Sequence, residues 1–230
     1  TPNATSDDTT ESWMNTISLA RKLDLDWTAL IRNYLLVTDN HSIAGNQIQN
    51  RFQIGAAYRP VYSNTFDFLG RYENKYERNQ EIDPPEQRFV HILSTNVNYH
   101  PIRDWWTMGR FATKYVNENL AGVQDSYLAW LTSARIIYDL NKDWDVGVMG
   151  SVMGSPQGGT NQYAYGAEVG YLVDKNIWAS VGYNFSGFSD RDLTGSDYTR
   201  KGVYVRLRMK FDETGLKNTG NAIKARFVEE

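Results

Sequence analysis

The chain has no cysteine, which excludes disulfides and thiolate metal centres and leaves the redox character of its compartment unreadable. It also has no apolar run approaching the roughly 20 residues that a membrane helix needs, so a helical span is excluded. Its opening residues, TPNATSDDTTES, carry neither a basic n-region nor an apolar h-region, as expected of a mature protein, a processed fragment or an excised domain. A formal net charge of −3 argues against nucleic acid as a partner.

What the chain does have is aromatic side chains, 13% of its 230 residues, including 15 Tyr and 7 Trp. The mean hydropathy is nonetheless −0.55. A polar average with many aromatics suits a membrane barrel, because only every second residue of each strand meets lipid while its neighbours meet a wet lumen. Period-two alternation recurs from about Glu11 to Phe211 in eleven segments. The clearest places Val203, Val205, Leu207, Met209 and Phe211 on one face and Tyr204, Arg206, Arg208 and Lys210 on the other. Segments 48–58 and 65–76 repeat the pattern. The connections between segments read as alternately short (23–25, 60–64, 101–104, 141–143, 174–176) and long (39–46, 78–87, 118–125, 154–162, 187–198). Short periplasmic turns and longer outer loops are the asymmetry of a bacterial outer-membrane barrel. Aromatics cluster where strands end: Tyr58, Tyr99, Trp105, Tyr138, Trp144, Tyr171 and Phe211 form an expected girdle near the short turns.

These patterns predict an all-β, antiparallel up-and-down transmembrane β-barrel over 11–211. An outer loop or linker (1–10) precedes it and a periplasmic tail (212–230) follows. Traced back from Phe211, the first strand (13–23) runs downward. An even-stranded barrel then needs at least 12 strands, one of them supplied by upstream sequence or by another subunit.

Three stretches, 55–77 (GAAYRPVYSNTFDFLGRYENKYE), 87–101 (QRFVHILSTNVNYHP) and 181–213, with GYNFSGFSDRD the most specific piece, carry a resemblance over about residues 47–213. They resemble the C-terminal barrel of large, repeat-containing surface proteins of Gram-negative bacteria. The resemblance implies an anchoring role, no catalytic residues and a preceding exported region.

Chemistry-bearing constellations are few. His91 and Ser94, spaced by three on a strand, point to opposite faces and cannot form a hydrolase dyad. His41 and His100 read as loop and interfacial residues, so no enzyme activity and no cofactor are expected. The loop from Asp190 to Gly195 imitates the start of a calcium loop, but position twelve is Lys201 rather than a bidentate Glu. An EF-hand is rejected, and the loop reads as an acidic surface loop with at most a loose divalent-ion site. Strand alternation turns Arg32, Arg51, Arg59, Arg71, Lys75, Arg88, Arg110, Lys114, Arg135, Arg206, Arg208 and Lys210 inward, against Asp67, Glu73, Asp145 and Glu168. A basic lumen is expected, either filled with ion pairs, plugged by an acidic segment such as the Glu229-Glu230 tail, or open as a porin-like channel for anions or as an exporter of an acidic polymer. The partners expected are outer-membrane lipid and lipopolysaccharide, with the long loops extracellular.

Overall fold

The computed structural model describes residues 9–41, 44–159, 161–174, 177–193 and 201–209. Eleven strands follow one another: β1 (Thr10–Lys22), β2 (Trp27–Asn40), β3 (Asn46–Tyr58), β4 (Phe66–Asn79), β5 (Glu86–Tyr99), β6 (Trp105–Leu120), β7 (Val123–Asp139), β8 (Trp144–Gly154), β9 (Asn161–Asp174), β10 (Ile177–Ser186) and β11 (Gly202–Met209). Each pairs antiparallel with the next in a single sheet of order β1 to β11, the up-and-down barrel topology that the alternation predicts. Being both odd-numbered, β1 and β11 run in the same direction. No ladder joins them among the described residues.

The register fixes two faces. The row Arg32, Gln53, Glu73, Ile92, Lys114 and Ala129 crosses β2 to β7 as direct partners on one side, where Ile92 and Lys114 are buried. The opposite side carries Ile54, Leu93, Phe111, Val148, Val181, Val203, Val205 and Leu207, all exposed. An exposed apolar face and a polar, buried face are the reverse of a water-soluble sheet, and they match a wall with lipid outside.

Ten connections alternate between two rims, but their lengths do not alternate as the sequence suggested. The connection expected over 118–125 is a two-residue turn, Ala121-Gly122, with φ of 51° and 80°, as a type I′ hairpin requires. The polar residues on either side continue the ladder as Asn117–Ser126, Glu118–Asp125 and Asn119–Gln124, because backbone pairing does not need an apolar face. Connection 59–65, expected to be short, is longer than 41–45 on the other rim. Turns on one rim are tied together: Arg59 donates its N–H to the Asp26 carbonyl (2.8 Å), Asp139 to that of Asp104 (2.9 Å) and Leu172 to that of Asp143 (2.7 Å).

Candidate functional site: a loop folded into the lumen

The buried core lies inside the curved sheet, and part of it comes from a connection. Leu193 is fully buried and Phe188 nearly so, both packed with Val90, Ile92, Ala112, Val116, Ala129, Leu131 and Ala164 on the inner wall. These two residues belong to the connection after β10, which turns back into the lumen. Its alternation explains how. Asp190 and Asp192 point inward, whereas Arg191 between them stays 68% exposed and pairs with Glu77 at 2.7 Å.

Asp190 Oδ1 accepts the backbone N–H groups of Asp192 (2.9 Å) and Leu193 (2.8 Å), an Asx-type turn that fixes the loop tip. Its Oδ2 then accepts from Lys114 Nζ at 2.6 Å. Asp192 is held from three strands: Lys75 Nζ donates to Oδ1 (3.0 Å), Arg88 Nη2 to Oδ2 (2.6 Å), and Lys114 Nζ lies 3.4 Å from Oδ2. Arg110 Nη2 donates to the Leu193 carbonyl at 2.5 Å, and the Lys114 ammonium sits 5.6 Å from the Tyr127 ring centroid, a cation–π contact. Burial would push the Asp192 carboxyl up, but hydrogen bonds from Arg88 and Lys75 and the charges of both outweigh it. The carboxyl is held well below its usual range.

Two further carboxylate centres organise the wall. Glu73, buried on β4, accepts from Arg51 Nε and from Gln53 Nε2 (2.8 Å), with Arg71 and Lys75 each at 3.7 Å. Towards the opposite rim, buried Glu168 accepts from Arg135 and from the Tyr204 hydroxyl (3.0 Å), with Arg206 at 3.9 Å. Asp145 accepts from Arg208 at 2.9 Å. Glycines make room for this layer: a Cβ at Gly147 would come 2.8 Å from Glu168 Cγ, and one at Gly170 would overlap the Asp145 carboxylate. Between this layer and the loop lies a cavity of about 460 Å³, lined by Asn96, Arg110, Arg135, Ser151, Phe188 and Arg206 among others.

The inward cations therefore have more partners than the four carboxylates expected from sequence. Glu77 and Glu118 flank Arg88 at 3.6 and 3.2 Å, and Asp190 and Asp192 arrive from the loop. This corrects the reading of the loop from Asp190 to Gly195 as an acidic surface loop over its described residues, Asp190 to Leu193: both carboxylates are turned onto cations rather than outward. Arg59 lies past the end of β3, exposed at the rim, and Arg32 is exposed on the inner face of β2. Lys210, Phe211, the Met209 side chain and the Glu229-Glu230 tail lie outside the described residues. Ser94 is buried inward, donating to the Arg71 carbonyl at 3.5 Å. His91 is exposed on the outer face, its Nδ1 2.7 Å from the Tyr72 hydroxyl.

Of the expected girdle residues, Tyr58, Tyr99, Trp105, Tyr138, Trp144 and Tyr171 sit on the outer face at one rim, with ring contacts Trp105–Tyr138 (5.9 Å) and Trp144–Tyr171 (4.8 Å). Trp27, not anticipated from sequence, extends the belt to β2 by packing on Tyr58 at 5.0 Å.

No family model and no curated protein matches the sequence. Among solved structures, the chain is similar to a siderophore receptor, PirA from Pseudomonas aeruginosa, with a TM-score of 0.58 and 7% identity, over 76% of this chain but only 34% of the receptor. Other similarities are to the NanC porin (TM-score 0.45, 10% identity, 89% of this chain and 99% of the porin) and to the translocator domain of the autotransporter NalP from Neisseria meningitidis (0.33, 10%, 88% and 80%). The chain thus has the fold of an outer-membrane β-barrel.

Proposed function

We propose that this chain is a non-enzymatic outer-membrane barrel that anchors or displays a larger surface protein or assembly, its lumen plugged rather than conducting. The observation that carries the reading is the loop clamp. Asp190 and Asp192 take up the charge of Lys75, Arg88 and Lys114, the cations that would otherwise line an anion path, while Phe188 and Leu193 pack on the apolar residues of the inner wall.

Anchoring also fits the strand directions. Two parallel-running edges, β1 and β11, cannot both be satisfied in lipid by pairing antiparallel with each other, and an open edge leaves backbone groups unpaired at several kcal/mol each. One further strand, from the same polypeptide or from a partner subunit, would pair antiparallel with both edges. In this reading the rim that carries the β10–β11 loop faces outward and that strand joins the barrel to what it displays.

Planar-bilayer recording of the full protein tests the reading. Near-silent membranes are expected, with conductance appearing in Asp190→Asn/Asp192→Asn. Large, steady, anion-selective conductance from the unaltered protein would instead establish a channel with a basic lumen.

A further inference from the structure

The outer face is not uniform around the sheet. Counting eight residues along each strand from its girdle aromatic gives Asn50 from Tyr58, Asn74 from Phe66, His91 from Tyr99 and Thr113 from Trp105. The same count gives Trp130 from Tyr138, Val152 from Trp144 and Tyr163 from Tyr171. Strand rise and a tilt of roughly 40° put this level about 20 Å above the girdle, inside an apolar band about 25 Å tall. At one height, β3 to β6 present amides, an imidazole and a hydroxyl, while β7 to β9 present apolar and aromatic groups. On β2 the same count from Trp27 gives Leu35, and the nearest amide is Asn33, two residues closer to the girdle, whose side-chain oxygen accepts from Asn50 Nδ2 at 3.4 Å.

The polar groups are only partly used within the chain. Asn74 Nδ2 lies 3.3 Å from His91 Nδ1, and each Asn side chain offers two donors and two acceptor lone pairs. Hydrocarbon gives the remainder no partner.

We infer that the outer face of β2 to β6 is an interface with a second copy of this chain, in which the asparagine and histidine belt of one copy meets the same belt of the other. In a membrane, the two-fold axis relating copies of equal orientation runs along the bilayer normal, so each level of the wall meets its own level. That geometry demands groups that pair with themselves. A primary amide does so, having both donor and acceptor; a belt of carboxylates or of ammonium groups would not. Isologous contacts of this kind are the commonest form of homo-oligomer.

Because the chain has no cysteine, single introduced thiols report on the interface cleanly. With the full protein in lipid nanodiscs or isolated outer membranes, a short bifunctional maleimide is expected to join Asn50→Cys and Asn74→Cys into covalent dimers, leaving Val148→Cys on the opposite arc monomeric. In parallel, native mass spectrometry should find the unaltered protein dimeric and Asn50→Leu/Asn74→Leu/His91→Leu shifted to monomer. Cross-linking at Val148→Cys equal to that at Asn50→Cys, or none at any position, would overturn the inference. So would a triple variant that keeps its dimer, or one that loses bound lipopolysaccharide while the unaltered protein is monomeric; the latter would make the belt a headgroup site.

Discussion

The inner walls of β1–β3 and of β4–β10 are built from the same alternation but end in different environments. On β5 to β7 the inward Val90, Ile92, Ala112, Val116, Ala129 and Leu131 are buried. On β1, Met14 faces inward beside Ser12 and Ser18, and the strand is exposed along nearly its whole length. The sheet alone thus buries little. Apolar burial is densest where the β10–β11 loop returns to the wall, and a second, polar layer is buried around Asp145, Glu168 and Ser180, so loop and wall side chains make the core together.

The difference can be broken most strongly at its centre. Asp192→Ala leaves Lys75, Arg88 and Lys114 buried with less counter-charge, and removing one partner of a buried ion pair costs about 3–5 kcal/mol. Thermal or urea unfolding should show a loss of that size, together with new protease cleavage in the 187–193 loop. Val205→Arg tests the outer face: a cation near mid-bilayer costs about 2–4 kcal/mol, and folding into vesicles should fall accordingly. Gly170→Ala drives a methyl into the Asp145 carboxylate that Arg208 holds, at a cost of about 1–3 kcal/mol. Smallest of all, Arg191→Ala removes an exposed pair with Glu77 and should change stability by less than about 1 kcal/mol.

The pH response sharpens the same comparison. Because the folded Asp192 carboxyl is depressed, its contribution is fully present above the ordinary carboxylate range, about 3.9, and is lost only as pH falls below it towards the folded value. Loop protection measured by proteolysis should therefore stay constant from pH 8 to pH 5. A transition inside that window would show that Asp192 is not held as described.

Much of the fold was legible because alternation reports facing directly. The two faces of segments 48–58 and 65–76, the outer-face placement of Tyr58, Tyr99, Trp105, Tyr138, Trp144 and Tyr171, and the separation of His91 from Ser94 all follow from period two. The β6–β7 connection was not legible, since Asn117, Glu118 and Asn119 read as loop composition while their backbones pair. The inward fold of the loop was hidden for a different reason. Asp190, Asp192 and Leu193 face inward around the exposed Arg191 within a segment rich in turn residues, and only the facing cations on β4, β5 and β6 make that inward side favourable to the two carboxylates. That complementarity is set by register across some 80 to 120 residues of sequence, beyond the reach of any local pattern.

The claim on which the account rests is that this loop occupies the lumen, and thiol accessibility tests it directly. In the cysteine-free chain, Leu193→Cys should resist a membrane-impermeant maleimide in the folded protein, since Leu193 is 0% exposed, whereas Tyr62→Cys, at a position 90% exposed, should label at once. Adding Asp192→Asn should make Leu193→Cys reactive. Labelling of Leu193→Cys as fast as Tyr62→Cys, with Asp192 intact, would contradict it.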